Sequence, residues 1–369
     1  VTAGVMFLVV MTLVSSTNLT LDNELARRHF ALRIGLAASQ PASDVLPLLR
    51  QEPGVTDAEM WLSRNATLLR SGERLEDSAG LGAQLLGLPA ASTIYRPVIV
   101  TGRWFRAGDA GRLVVLSQET AEKNRLKPGD SVTLDLGGQG ESAWEVLGTY
   151  RVVYGGGFAV EPIYAPLPAV EEATGANGAG TQVFVRAPGA DTIAGATALA
   201  ERLEDRLRDK DIGVDVYTSL VPLKEREYVN NQFASVISTL LGLAMIAATV
   251  GAIGLTGALA ISVVERTREI GVMRSLGAKS GVISRLYLME GVLQGLLSWA
   301  LAVPIAYAVS QPVARLLGQR MLKLDLDYAF ATPAVFIWLS IVLTFAVSAA
   351  LWPARMAARA RVRENLSYQ

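Results

Sequence analysis

The sequence predicts an α+β membrane protein in which one transmembrane helix, a large water-soluble domain and three further transmembrane helices follow in that order. Half of the residues are apolar (51%), only 18% are charged, and the mean hydropathy is +0.33. Four stretches contain no Asp, Glu, Lys or Arg, and these are residues 1–21, 233–264, 291–314 and 328–354. The last three exceed the ~20 residues that a helix needs to cross a bilayer.

The predicted boundaries divide the chain into eight segments. These are transmembrane helix 1 at 1–21, an extracytoplasmic domain with stalk at 22–232, transmembrane helix 2 at 233–264, a cytoplasmic helical region at 265–285, transmembrane helix 3 at 287–314, an outer loop at 315–329, transmembrane helix 4 at 330–353 and a cytoplasmic tail at 354–369. Helix 2 would rise about 48 Å against ~30 Å of hydrocarbon, so it should extend beyond the membrane. Helix 1 turns polar at 15–18, so its cytoplasmic end is expected to precede Val1.

The loops differ in their content of basic residues, and this difference predicts the orientation. The loop after helix 2 carries Arg266, Arg268, Arg274, Lys279 and Arg285, and the tail carries Arg355, Arg359, Arg361 and Arg363. The loop between helices 3 and 4 carries Arg315, Arg320 and Lys323, partly offset by Asp325 and Asp327. The positive-inside rule therefore places the loop 265–285 and the C-terminus in the cytoplasm, and the large domain outside the plasma (inner) membrane.

The large domain shows two strand–helix–strand patterns, one near each end. The first has a strand at Ala31–Ala38, a short helix that Ser43 can cap, and a strand at Val55–Leu62. The second has a strand at Gln182–Arg186, a helix at Thr192–Lys210 and a strand at Ile212–Tyr217. These units, at 30–66 and 181–218, suggest a ferredoxin-like four-stranded sheet that is split by an insertion.

The insertion, at 70–178, is predicted to be rich in β-structure. Its strand candidates are Pro97–Val100, Arg112–Leu116, Ser131–Leu136 and Ala143–Tyr150. Leu126-Lys-Pro-Gly-Asp130 places Pro and Gly at the centre of a turn, as a type II turn prefers. Gly155–Gly157 and Gly175–Gly180 are interpreted as flexible connections, because they lack the strand-to-helix frame and the Gly-Lys-Ser/Thr ending of a phosphate loop.

Composition and motifs argue against an enzyme. The net charge is zero, which gives no electrostatic reason to expect nucleic acid. The chain has no cysteine, and His29 is its one histidine, so a thiolate or multi-histidine metal site is excluded. Gly277-Ala-Lys279-Ser280 lacks the glycine before lysine that a Walker A motif requires. We therefore predict no catalytic, cofactor-binding or metal-ligating residues in this chain.

The loop after helix 2 contains a short amphipathic helix with two interpretations. Ile270, Met273 and Leu276 are expected on one side, Gly277 can end the helix, and Ser280 can cap the next one. As an interfacial helix, it would bind anionic lipid through its arginines. As a docking helix, it would insert apolar anchors into a groove of a partner protein. The residues alone favour neither interpretation.

Helix 2 also carries small residues at a spacing that permits close helix packing. Ala247 with Gly251, and Gly254 with Ala258, form two small-xxx-small pairs. They could pack within the chain or form a seam between two copies. Near the start of helix 3, the single acid Glu290 is expected to form a structural ion pair with Arg285 or Arg274.

Several stretches together resemble a known family. Glu265-Arg-Thr-Arg-Glu-Ile-Gly-Val-Met-Arg-Ser-Leu-Gly-Ala278 after a membrane helix, and Pro353-Ala-Arg-Met-Ala-Ala-Arg359 at the exit from the last one, resemble the FtsX/MacB-type ABC transporter permeases. Pro97-Val-Ile-Val-Thr-Gly-Arg-Trp104 and Leu126–Asp130 resemble the MacB-like periplasmic core domain. The similarity covers nearly the whole chain in a consistent order.

The resemblance implies a non-catalytic permease that works with a dimer of ABC ATPase subunits. ATP and Mg would be bound by the ATPase, and the second permease would be another copy or a paralogue. Membrane lipids and an outer adaptor protein are further implied partners. The residues implied to couple the permease to the ATPase are Arg266, Arg268, Glu269, Ile270, Met273, Arg274 and Leu276. Motion of the outer domains would then transmit the force of ATP hydrolysis.

Two functions are compatible with this resemblance. The first is efflux or extraction of an amphiphile, peptide or lipoprotein. The second is an FtsX-like signalling or scaffold permease that regulates an extracytoplasmic enzyme or senses a ligand. A transporter needs an apolar cavity between two copies, whereas a regulator needs an exposed docking patch. The large split domain favours transport.

Overall fold

The computed structural model describes residues 1–77, 82–109, 111–152, 160–322 and 326–359. The chain forms two compact units. The helical unit comprises residues 1–20, 232–321 and 325–369, and the sheet unit comprises residues 21–231 with 322–324. The predicted connection at Gly155–Gly157 lies outside the described residues.

The sheet unit contains both helices and strands, whereas the described part of the helical unit contains helices and their connections. The helices are α1 (Thr2–Arg27), α2 (Ala42–Arg50), α3 (Gln118–Lys123), α4 (Leu167–Thr174), α5 (Ile193–Arg208), α6 (Pro222–Glu265), α7 (Thr267–Ser275), α8 (Ser280–Leu317) and α9 (Thr332–Arg359). The strands are β1 (Leu32–Pro41), β2 (Asp57–Arg70), β3 (Glu73–Arg74), β4 (Ala83–Leu88), β5 (Val98–Gly102), β6 (Leu113–Ser117), β7 (Ser131–Asp135), β8 (Glu141–Arg151), β9 (Glu161–Pro166), β10 (Ala179–Arg186) and β11 (Val214–Leu220).

Among the described residues, four helices are long and apolar enough to cross a membrane: α1, α6, α8 and α9. The mixed composition and these four helices confirm the coarse fold class. The helices extend beyond the predicted spans, since α6 begins at Pro222 and α8 at Ser280. Hydropathy detects only the apolar part of a helix, whereas backbone hydrogen bonding continues into polar sequence.

Close packing in the helical unit depends on glycines of α8 that face alanines of α9. A Cβ added at Gly291 would lie 2.8 Å from the Ala350 Cβ, and one added at Gly295 would lie 2.9 Å from the Ala346 Cβ. Small residues let two helix backbones approach closely in a membrane. Gly291 and Gly295 of α8 thus form a small-xxx-small pair that packs within the chain. The pairs noted on α6 have the same four-residue spacing.

The sheet unit is built on one sheet with the order β11-β1-β10-β2-β4-β9-β6-β8-β5. Its first four strands are antiparallel neighbours. Helices α2 and α5 cover one face of these four strands, where Ile34 and Val183 pack against Leu49 and Leu203. Strand β2 continues beyond this region and also pairs with β4 and β7.

One local prediction in the sheet unit is wrong, and another holds only in part. Helix α2 is preceded by Pro41 in an extended conformation and has no side-chain cap, and the Ser43 hydroxyl instead donates to Asp44. The segment Gly175–Gly180 is only partly a connection. Gly175 ends α4 in the left-handed conformation, while Gly180 is already in β10, where it pairs with Gln40. Because Gly180 pairs with β1, this residue belongs to a strand although the glycine content of the segment favours a loop.

The β-rich character of the insertion is observed, and three of its strands, β3, β4 and β9, were not predicted. Strands β4 and β9 pair with each other in parallel near the middle of the sheet. The predicted type II turn is confirmed, because Gly129 has φ +94° and the Asp130 amide donates to the Lys127 carbonyl at 3.0 Å.

Candidate functional site

The residues with the predicted docking role lie on and around α7. The Thr267 hydroxyl donates to the carbonyl oxygens of Val263 (3.1 Å) and Val264 (2.6 Å), which occupies acceptors at the end of α6. Gly277 has φ +93° and follows the last turn of α7, so the predicted end of the helix is confirmed. The segment between α6 and α8 is therefore an ordered helix with defined ends.

Ile270 is buried inside the helical unit. Its side chain is 1% exposed and belongs to a cluster with Val263, Ile283, Tyr287, Ala354 and Ala357, against which Met273 also packs. Leu276, in contrast, is 83% exposed. At about 100° per residue, positions six apart lie ~120° from each other around a helix, so Ile270 and Leu276 do not share a face. Ile270 therefore packs against its own chain and is not exposed, and its coupling role stays a prediction.

Arg274 is also engaged within the chain. Its guanidinium donates to the Ala358 carbonyl at 2.5 Å and to the Ser280 hydroxyl at 3.4 Å. A cation near the last carbonyls of a helix is favourable, so Arg274 fastens α7 to the end of α9. Two expectations about neighbouring residues are wrong. Ser280 does not cap α8, because it is the first residue of that helix and Lys279 is the N-cap. Glu290 does not form the expected ion pair, since it has no ion-pair partner within the described chain.

A different set of side chains on α7 faces outward. Arg268 and Glu269 are exposed, as is Arg266 just before the helix, and none of the three forms an ion pair among the described residues. Val272 (52% exposed) and Leu276 continue the same side of the helix at four-residue spacing from Arg268. Sequence reasoning missed Val272. We call Arg268, Glu269, Val272 and Leu276 the exposed α7 face.

The two glycines of the small-residue stripe on α6, Gly251 and Gly254, do not pack against the described part of the chain. A Cβ added at Gly251 or Gly254 would meet nothing within 4 Å, and Ala258 is exposed. Ala247 is half-buried. Of the two interpretations of this stripe, packing within the chain is thus not observed at the glycines. A seam between copies stays a prediction.

A buried ionic network in the sheet unit was not predicted. Arg28 pairs with Glu24 (3.4 Å) and with Glu225, and Glu24 also accepts a hydrogen bond from the Tyr95 hydroxyl at 2.8 Å. The Glu24 side chain is only 6% exposed. The four-residue spacing of Glu24 and Arg28 is a local signal for a pair, but the contact with Glu225 has none. The neighbouring His29 is exposed, as expected for a solvated histidine.

No group of three or more His, Cys, Asp or Glu side chains that could hold a metal occurs in the part of the chain that the structure describes. The absence of a cofactor from this chain stays a prediction. The chemistry that the α7 region can provide is binding, through two exposed apolar side chains among charges.

Two known families match the chain over successive ranges. Residues 1–203 match the MacB-like periplasmic core domain, and residues 234–360 match the FtsX-like permease C-terminal. The sheet unit falls largely in the first range, while α7 and the exposed α7 face fall in the second.

Individual proteins are similar over parts of the chain. ABC transporter permease YtrF of Bacillus subtilis is 30% identical over 161 residues, which is 41% of this chain and 37% of that protein. The uncharacterized ABC transporter permease YknZ of the same organism is 27% identical over 233 residues, which is 60% of this chain and 55% of that protein. The crystal structure of the periplasmic region of MacB from Actinobacillus actinomycetemcomitans has 13% identity and a TM-score of 0.37, and the match covers 55% of this chain and 95% of that one.

The chain thus spans 37% and 55% of the length of these two curated relatives. The family matches are more extensive, since the first alone takes in residues 1–203 of 369 and the second covers most of the remainder. This protein therefore belongs to the FtsX/MacB-type ABC transporter permeases.

Proposed function

We propose that this chain is the permease subunit of a MacB/FtsX-type ABC transporter that transmits the force of ATP hydrolysis to its sheet unit outside the plasma membrane. A dimer of separate ATPase subunits would bind ATP and Mg. The proposed cargo is an amphiphile, peptide or lipoprotein that is exported or extracted. The observation that carries the proposal is the two-sided character of α7.

The exposed α7 face is suited to a protein partner. Val272 and Leu276 offer two apolar side chains, and the charges of Arg268 and Glu269 lie beside them. Apolar anchors with a charged rim are typical of helix-in-groove recognition. A helix that only lies on lipid would gain from burying these two side chains, but an exposed glutamate on the same face does not favour an anionic membrane.

The buried side of α7 supplies the coupling. Ile270 contacts side chains of α6, α8 and α9, and Arg274 holds the end of α9. A displacement of α7 would therefore act on three helices. Helix α6 has 44 residues. At ~1.5 Å per residue it is about 66 Å long, roughly twice the ~30 Å hydrocarbon layer, which suits a lever.

The finer architecture belongs to the same proposal. The order β11-β1-β10-β2, with α2 and α5 on one face, supports a ferredoxin-like unit that is split by the insertion. The open surroundings of Gly251 and Gly254 support a dimer in which α6 contacts a second permease. The basic residues around α7 support a cytoplasmic position for this helix and for the C-terminus.

The test is purification of the tagged chain from its native host in mild detergent, with mass spectrometry of the proteins retained. We expect an ATPase subunit that contains a Walker A motif, and its loss from a Val272→Glu/Leu276→Glu variant. A Leu286→Glu variant is the control, because Leu286 is 50% exposed on α8 but lies outside the exposed α7 face. Retention of the same ATPase by the double variant would contradict the docking role of α7.

A further inference from the structure

The strands β11, β1, β10 and β2 have a second face, opposite to α2 and α5. The register pairs Arg33 with Phe184 and Gln182 with Trp61, so these side chains share that face. The alternate residues of the same strands, such as Ile34 and Val183, point to the helices. The second face is thus aromatic and polar, whereas the first is aliphatic.

A cavity of about 410 Å³ lies against this second face. Aromatic side chains form much of its lining: Phe30, Trp61, Tyr95, Tyr150, Tyr164 and Phe184. Several of the rings pack against one another, with centroid distances of 4.2 Å between Trp61 and Phe184 and 5.1 Å between Tyr150 and Tyr164. Sites for small molecules are typically preformed cavities of ~300–1,000 Å³ with apolar walls and a few polar groups. The size and the walls of this cavity fit that description.

Arg33 supplies a positive charge to the cavity. Its Nε donates to the Thr218 carbonyl at 2.9 Å, and no described carboxylate lies within ion-pair distance of its guanidinium. The other arginine of the lining, Arg28, is paired with Glu225. Burial lowers the pKa of the Arg33 guanidinium, as expected for a cation removed from water without a direct counter-ion.

Gln182 supplies an unused hydrogen-bond acceptor. The residue is 2% exposed, it lines the cavity, and its Oε1 has no hydrogen-bond partner. A buried acceptor without a donor is unfavourable, and most such groups in proteins are satisfied. A donor carried by a ligand would satisfy it.

We propose that this cavity binds a small organic anion with a flat apolar body, whose carboxylate pairs with Arg33 and whose hydroxyl or N–H donates to Gln182. The aromatic walls would contact the body of the ligand. The proposal goes beyond the transport function, because binding to the sheet unit requires neither an ATPase nor ATP.

The test uses the full chain in nanodiscs of zwitterionic lipid, with empty nanodiscs as a blank, and isothermal titration calorimetry. The first probe is a hydroxynaphthoate with its two polar groups at opposite ends of the ring system. The second is its neutral amide, and the third is the naphthoate without the hydroxyl. We expect saturable binding of the first, about tenfold or more weaker binding of the amide, and a smaller loss for the third. Absence of saturable binding of the first probe up to about 10 mM would overturn the proposal.

Variants then assign each preference to a residue. Arg33→Gln should remove the preference for the acid over the amide, and Gln182→Leu should remove the preference for the hydroxyl. Arg64→Gln is the matched control, because Arg64 is also half-buried in the sheet and donates to one backbone carbonyl, at 2.9 Å. It should leave both preferences unchanged.

Thermal unfolding of each variant shows whether it folds. Arg33→Lys keeps the charge and should keep the preference for the acid. If Arg33→Gln does not fold, the Gln182→Leu variant still tests the site independently. The measurement is then its affinity for the hydroxynaphthoate relative to the naphthoate without the hydroxyl. Unchanged preferences in folded Arg33→Gln and Gln182→Leu would place the probe elsewhere and overturn the assignment.

Discussion

Replacing Leu276 and Ile270 by alanine, one at a time, should separate docking from folding on the same short helix. Leu276 is 83% exposed, so its truncation removes few contacts from the free chain. Ile270 is 1% exposed among side chains of three other helices. We expect Leu276→Ala to weaken ATPase binding without changing the thermal stability of the chain, and Ile270→Ala to lower the thermal stability.

The magnitudes follow from this difference in exposure. If docking buries Leu276, its truncation removes roughly three methylene equivalents at ~0.8 kcal/mol each, or about 2.4 kcal/mol. That free energy corresponds to an increase of about 50-fold in the Kd for the ATPase. Ile270→Ala leaves a cavity in a packed cluster, and such truncations cost about 2–5 kcal/mol of folding free energy.

The assay is biolayer interferometry between the permease in nanodiscs and the ATPase identified by co-purification, with thermal unfolding measured in parallel. Leu286→Ala is the control for loss of an exposed leucine, since Leu286 is 50% exposed on α8. The reasoning would be refuted by a Kd for Leu276→Ala within about twofold of that of the Leu286→Ala control. Equal thermal stability of Ile270→Ala and the unmodified chain would refute the burial argument.

Three other expectations concern topology, the length of α6 and pH dependence. In this cysteine-free chain, an impermeant maleimide should label Gln139→Cys but not Lys279→Cys on intact cells, and strong labelling at 279 would reverse the orientation. Asn231→Pro should break a hydrogen bond of α6 at a local cost of ~3 kcal/mol. ATP-dependent changes in hydrogen exchange of the sheet unit should then be lost while the ATPase stays bound, and their persistence would argue against a lever. The hydrogen bond that Arg103 donates to Asp109 is the main cause that lowers the pKa of this carboxyl to about 2. A hydrogen bond from a backbone amide to the same carboxyl is the second cause. This carboxylate therefore stabilises the fold above its unfolded pKa of about 4, and the stabilisation should fade as the pH falls towards 2. Thermal unfolding of Asp109→Asn should differ from the unmodified chain at neutral pH and converge with it in acid, and a constant difference would contradict this.

The sheet unit was predictable where one side of an element is buried and the other is not. In α5, Ala196, Leu199, Leu203 and Leu207 recur at helical spacing, and all four are buried. Strand β4 has no such alternation, because it pairs on both sides near the middle of the sheet and nearly all of its residues are buried. Strand β9 contains two prolines, which argue against a strand in isolation. Tertiary packing overrides these local preferences, so neither strand has a reliable local signal.

The position of the candidate site was predictable, but the orientation of its side chains was not. The motif around Gly277 places a short helix between two membrane helices, and the structure has α7 there. Which side of that helix is buried depends on contacts with residues such as Tyr287 and Ala357, far along the chain. The bond from Arg274 to Ala358 spans 84 positions and leaves no local pattern. The sequence therefore could not separate Ile270 from Leu276.

Strand β2 has a consequence for how the sheet unit responds to force and denaturation. Its residues 57–61 pair with β10, residues 62–66 with β4 and residues 67–69 with β7. One continuous backbone thus belongs to both the four-stranded region and the insertion. Separating the two would break hydrogen bonds in both at once and expose unpaired edges. The sheet unit should therefore melt in a single cooperative transition and move as one rigid body, and excision of the insertion should unfold what remains.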